Sequence, residues 1–394
     1  MSSFLIDWLN LAVRWAHLVV GIGWIGTSFY FIALDLSLRK REGMREGVYG
    51  TAWEVHGGGF YQVEKYLVAP ATLPPDLVWY RWEAYLTWVT GFVLLILQYY
   101  WHADTFLISR SVLPLLPAQA IVISVATLAA GWLIYDALCK SRIGRNTTIL
   151  GIAVFLLILA AAWFYSNVFS GRGALIHVGA FIGTMMAFNV FGIIIPNQKK
   201  IVASLMAHEA PDPRLGQIGK QRSVHNNYLT LPVLLLMVSN HYPMLTGHGH
   251  VWLIVGLIVI TGACVRHFLN RHDAGDPFAK IGWTLPVAAI AFGAAIYLTA
   301  PTAGEGQFAG IEVTNGEVLN IVGKHCVMCH SAHPTHEGFT APPKEVVLTS
   351  IDDIVRHRDQ IMAQAVLGDA MPLGNETEMT PAERQALGAF LVNR

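Results

Sequence analysis

Apolar positions along the chain gather into long unbroken runs rather than into the narrow stripes of soluble amphipathic helices. A run of about 18 or more apolar residues is long enough to cross a bilayer as a helix. The pattern predicts about eight such helices, over Trp15–Leu36, Leu86–Tyr100, Leu116–Leu138, Thr148–Val168, Ala174–Ile195, Tyr228–Asn240, Val251–Phe268 and Ile281–Thr299. The second and sixth are short as written and are expected to extend into their flanks. The stretch Ala300–Gly310, rich in Ala, Gly and Thr, then reads as a linker. Beyond it the composition becomes that of a small soluble unit. The expected fold is therefore all-α: a polytopic membrane helix bundle over residues 1–299, a linker over 300–311, and a small all-α domain over 312–394.

Composition supports the bilayer. Of 394 residues, 54% are hydrophobic and 13% are charged, against about 25% charged in soluble globular chains. The net charge is zero, so no nucleic-acid partner is expected. No basic n-region or small-residue cleavage site precedes Trp15, so the first apolar run is expected to be retained as a helix. Cys139 and Cys264 end apolar segments and read as packing residues.

The placement of charge orients the bundle. Arg39, Lys40, Arg41, Arg45 and Lys65 follow the first helix; Lys140, Arg142 and Arg145 follow the third. Lys199, Lys200, Arg214, Lys220 and Arg222 follow the fifth, and Arg271 and Lys280 the seventh. The alternate loops hold little more than Arg110 and Arg172. Basic loops stay in the cytoplasm, so the N-terminus and, after eight crossings, the C-terminal domain are expected outside, in the periplasm of a bacterial inner membrane.

That domain carries Cys326-Val327-Met328-Cys329-His330. C-x-x-C-H is a signature for covalent c-type haem: two thiols on one turn reach the vinyl groups and the following His meets the iron. Zinc binding would want a second ligand pair, and none has suitable spacing. A methionine is the usual opposite ligand. Met328 lies within the attachment loop, Met362 in a helical stretch, and Met379 beside the last helix. Met371, in Gly368-Asp369-Ala370-Met371-Pro372, sits in a loop able to present its sulfur, and is the expected iron ligand with His330. The domain then reads as a class I cytochrome c, an electron port. Its presence on the outer side agrees with the charge count, because haem attachment in bacteria takes place there.

Three polar clusters in the membrane part are candidates for chemistry. Trp53-Glu54-Val55-His56-Gly57-Gly58-Gly59-Phe60-Tyr61 offers Glu54 and His56 as proton acceptors, and Gly57 and Gly58 for close approach to a ligand; a flexible loop with a surface His is the alternative. Arg222-Ser223-Val224-His225-Asn226-Asn227-Tyr228 offers Arg222, Asn226 and Asn227 to hold a planar anion, with His225 as a further base; a helix anchor is the alternative. The third cluster is the set of histidines expected near the outer face: His17, His102, His177, His241, His248 and His250. Packing explains any one of them. As a set they make His17 and His177 candidate ligands of a b-type haem. Such a relay has a physical reason, because a substrate at the cytoplasmic loops leaves electrons most of about 30 Å of hydrocarbon to cross.

With Trp53–Tyr61 and Arg222–Tyr228, three further stretches carry a family resemblance. They are His17-Leu-Val-Val-Gly-Ile-Gly-Trp-Ile-Gly-Thr-Ser-Phe-Tyr30, Arg81-Trp-Glu-Ala-Tyr85 and Gly173-Ala-Leu-Ile-His-Val-Gly179. Taken in order and ending in C-x-x-C-H, they resemble the membrane-bound urate oxidase family, urate hydroxylases with an eight-helix membrane domain fused to a cytochrome c. The resemblance implies oxidation of urate to 5-hydroxyisourate, with water as the oxygen source. Electrons would pass to the cytochrome and then, through a periplasmic or membrane acceptor such as a cytochrome c or terminal oxidase, to the respiratory chain. Two other classes compete. A quinol-oxidising respiratory module suits the outer histidines but not the polar cytoplasmic clusters; a redox-gated transporter has little use for an electron port.

Overall fold

The computed structural model describes residues 3–66, 70, 73–300, 308 and 310–394. Most of the expected linker, 300–311, lies outside them. The first half runs α1 (Ser3–Ser37), a hairpin of β1 (Val48–His56) and β2 (Gly59–Tyr66), α2 (Trp82–Leu95), α3 (Pro117–Lys140), α4 (Thr147–Ser166) and α5 (Gly171–Phe188). It continues with α6 (Ile195–Met206), α7 (Pro213–Val238), the short α8 (Pro243–Thr246), α9 (Val251–Asp273), the short α10 (Phe278–Ile281) and α11 (Thr284–Thr299). The C-terminal unit has α12 (Asn315–His325), α13 (Ile351–Arg356), α14 (Arg358–Ile361) and α15 (Pro381–Val392).

Six described helices are long and apolar enough to cross a membrane: Phe4–Ser37, Pro117–Lys140, Thr147–Ser166, Gly171–Met206, Val251–Asp273 and Phe278–Thr299. The other two expected crossings are helical but differ in kind. The α2 helix has only 14 residues before it loosens into a π-helical turn, Ile96–Tyr100. The α7 helix has 26, but its first fifteen residues carry Arg214, Lys220, Arg222, Asn226 and Asn227. Trp8 and Trp15 on α1 and Ile290 and Ile296 on α11 are exposed, as expected of faces turned to lipid.

Local chemistry sets the ends. Asn146 Oδ1 accepts from the amides of Thr148 and Ile149 at the start of α4 (3.0 and 3.1 Å), and Ser170 Oγ from the amide of Gly173 on α5 (3.0 Å). Pro213 opens α7 behind an Asp212 cap. In the packed bundle α5 is the central element, with Leu175, Val178, Ile182 and Met185 fully enclosed by α3, α4, α7 and α9. Small residues allow the close crossings: a Cβ on Gly131 would stand 2.0 Å from the Phe181 ring.

The hairpin corrects the all-α expectation. Trp53 pairs with Gln62 and His56 with Gly59, leaving Gly57 and Gly58 as a two-residue turn. Both have positive φ, 58° and 82°, the backbone that a type I′ hairpin turn demands and glycine supplies. The C-terminal unit has its own core, including Val318, Val322, Leu348, Ile354, Leu387 and Phe390.

Candidate functional site

One cavity of about 1100 Å³ runs from the space between α1, α2, α5 and α7 into the C-terminal unit. Its C-terminal wall includes Cys326, Cys329, His330 and Met371. Cys326 directly follows the last turn of α12, and its amide closes that turn on Val322 O at 2.8 Å. The His330 amide folds back onto Cys326 O at 2.8 Å. His330 Nδ1 bonds Val346 O at 3.0 Å, which fixes the ring and leaves Nε2 for a metal. Burial lowers the His330 pKa, favouring the neutral ring a metal needs. Burial also pushes the Cys326 thiol up to about 12 and Cys329 to about 11. Reactive dithiols show the opposite shift, and no three His, Cys, Asp or Glu side chains converge on a metal-sized site among the described residues.

The methionines separate. Met371 lines the cavity; Met379 is 3% exposed and belongs to the unit's core. The Met371 loop is held by Arg384, which donates to the carbonyls of Ala365 and Met371 at 2.5 and 2.8 Å. The same loop docks on the helical unit. Gly374 has φ 58°, and a Cβ there would lie 2.6 Å from Ile108 O. The Arg110 amide donates to Gly374 O at 3.3 Å, and Phe106 meets Phe339 edge-on at 6.4 Å between centroids.

The other candidates lie elsewhere. Arg222 is not free to take an anion: its guanidinium donates to Asp136 Oδ1 (2.7 Å) and Asn189 Oδ1 (3.2 Å) and sits 5.0 Å over the Tyr135 ring. His225 Nδ1 pairs with Tyr135 Oη at 2.8 Å. Asn226 bridges Asn189 (2.9 Å) and Met186 O (2.9 Å), while Asn227 Oδ1 accepts from Arg266 and Asn270. These bonds tie α7 to α3, α5 and α9, and none of the four residues lines the cavity. Glu54 accepts from Tyr30 Oη at 2.7 Å on the hairpin, His56 is exposed at its tip, and Cβ atoms on Gly57 and Gly58 would meet nothing within 4 Å. The two clusters are not brought together.

The histidine pair also parts. His17 lines the cavity, its Nδ1 3.0 Å from Thr90 Oγ1. His177 is fully enclosed, with Nδ1 at 2.7 Å from Gly173 O and Nε2 at 2.7 Å from Ser124 Oγ. Both ring nitrogens are engaged, and it does not line the cavity.

Sequence reasoning missed much of the wall. His17, His102 and His241, already singled out in the sequence, line the cavity; the residues that were missed are Asp7, Asn10 and Arg14 on α1, and Gln98, Tyr99, Arg172 and Asn240 on the neighbouring segments. Spacings of three and four in Asp7, Asn10, Arg14, His17 put these polar residues on one face of an apolar helix; that was the available signal.

The fold and cavity define a polytopic helical protein of membrane type, whose interior opens onto a Cys-x-x-Cys-His cradle. The family model for the urate oxidase N-terminal region matches residues 3–300. The chain belongs to that family, which points to urate-related oxidation. No curated protein and no solved structure matches it.

Proposed function

We propose that the chain oxidises urate to 5-hydroxyisourate with water, and that the electrons leave through one covalent c-type haem on the C-terminal unit. The observation that carries this reading is the continuity of the cavity, which joins the interior of the family-matched helical unit to Cys326, Cys329, His330 and Met371. Cys326 and Cys329 would attach the haem by thioether bonds, while His330 Nε2 and the Met371 sulfur would hold its iron. A haem so bound supplies a one-electron acceptor of raised potential.

Urate and water give 5-hydroxyisourate, two electrons and two protons, with both purines counted in the same charge state. Each substrate therefore delivers its electrons in two steps. Protons need acceptors on the cavity wall, where His17, His102 and His241 stand. Arg384 keeps the Met371 loop closed over the cradle, and the Val346 carbonyl keeps the His330 ring in one orientation.

We read the bundle as crossing a bacterial inner membrane eight times. The C-terminal unit then faces the periplasm and passes electrons to a cytochrome c or terminal oxidase. The apolar inner stretch of the cavity, with Leu18, Ile22, Trp24 and Phe92, also suits an isoprenoid quinol, which is the second reading. Anaerobic addition of each substrate to the oxidised holoprotein separates the two. Prompt haem reduction by urate and not by a quinol is expected; reduction by the quinol alone would replace this account with the second.

A further inference from the structure

Two arginines face the helical part of the cavity at its outer end, and among the described residues neither forms an ion pair. Arg14 stands on the polar face of α1. Arg172 stands in the first turn of α5, with its guanidinium carbon 5.8 Å from the centre of the Phe106 ring. Both line the cavity together with Tyr99. A cation in the first turn opposes the helix dipole, and two like charges beside one largely apolar cavity repel each other. An anion between them relieves both costs.

A polar atom behind the same wall is also left unpaired. Asn240 donates through Nδ2 to Tyr99 Oη, while its Oδ1 is buried without a partner. A buried carbonyl oxygen of this kind calls for an N–H. Two carboxylates share the wall. Asp7 is two turns before Arg14, and Glu376 is tied to His336 at 3.1 Å.

Resting on the urate reading above, we propose that the purine anion binds at this outer end. Arg14 and Arg172 take its carbonyl and ring-anion edge, and the Phe106 face lies alongside. A flat anion rich in C=O groups matches this set. The placement also removes the electron-crossing problem posed by the cytoplasmic clusters, because the same cavity continues to Cys329 and His330.

The carboxylates of a bound haem are the other source of negative charge for these arginines, and the test separates the two. The full-length, haem-loaded protein is reduced with dithionite so that it cannot turn over, and labelled urate binding is measured by equilibrium dialysis. Arg14→Gln and Arg172→Gln should each weaken binding about tenfold or more, the loss expected for a charged hydrogen bond, with the haem midpoint potential unmoved. A shifted potential with unchanged urate affinity assigns the arginines to the haem and overturns the proposal. In the wild type, urate should also protect Arg14 and Arg172 from an arginine-selective dicarbonyl, read by peptide mass; absence of protection overturns it without any variant. Wild-type protein that binds no urate would remove the functional reading together with the pocket, whereas wild-type binding indifferent to both substitutions removes the pocket alone.

Discussion

Replacing Asp136 with Asn takes the counter-charge from the most enclosed cation among the described residues. Arg222 is 1% exposed, and Asp136 Oδ1 at 2.7 Å is its only carboxylate among the described residues. The remaining contacts are one amide oxygen at 3.2 Å and the Tyr135 ring, and Nε has no partner. Breaking a buried pair from one side costs about 3–5 kcal/mol, because a charge is left uncompensated. Asn keeps one hydrogen bond, so the lower end, about 3 kcal/mol, is expected. Lys140 reaches the same carboxylate at 2.6 Å, but its side chain is 65% exposed; Lys140→Gln should cost less than about 1 kcal/mol. Asp136→Asn combined with Arg222→Gln removes the orphaned charge and should recover most of the loss. The assay is unfolding of the detergent-solubilised holoprotein, followed by the reaction of half-buried Cys139 with a thiol dye. If Asp136→Asn is as stable as the wild type and Arg222→Gln loses only urate binding, Arg222 is a substrate ligand and the structural assignment is refuted.

Three further outcomes are expected. Met371→Ala should lower the haem potential in a redox titration with little loss of stability, whereas Met379→Ala should keep the potential and cost about 2–5 kcal/mol in a thermal melt; the reverse pattern would exchange their roles. Gly374→Val places a branched side chain in left-handed backbone against Ile108 O, and should slow haem reduction by urate in anaerobic stopped-flow without reducing haem content. An unchanged rate would sink the docking role of that loop. In the C-terminal unit, Glu317, Asp353 and Glu383 close capping boxes, and bonds from the Thr314 amide, the Ser350 hydroxyl and the Thr380 amide lead in holding their carboxyls low. Their contribution is complete above the ordinary carboxylate value of about 4.3 and is lost as pH falls below it. Circular dichroism of a Glu317→Gln/Asp353→Asn/Glu383→Gln variant should therefore show a flatter acid limb, and an equally steep limb would contradict the assignment.

Long apolar runs made most of the bundle legible, because burial in lipid asks only for length and hydropathy. The starts of α3, α4 and α9 fell within a residue of those expected, but those of α1 and α7 did not. Ser3 begins α1 twelve residues before Trp15, since Asp7, Asn10 and Arg14 interrupt the run while sharing an inward face. Pro213 begins α7 fifteen residues before Tyr228 for the same reason. The hairpin was missed because Gly57-Gly58 was read as ligand-approach chemistry rather than as turn geometry, although two β-prone runs flank it. Local motifs identified polar clusters correctly but not their partners. Asp136 and Asn189, which occupy Arg222, are remote in sequence. The Cys-x-x-Cys-His run and the Met371 loop, both picked out from local sequence, line the same cavity.

The central claim is that urate oxidation in the helical unit loads electrons onto the C-terminal haem. An anaerobic titration of the oxidised holoprotein with urate, followed by haem c absorbance, tests it most directly. The account predicts two haems reduced for each urate consumed, without dioxygen. A haem that stays oxidised in excess urate would contradict it.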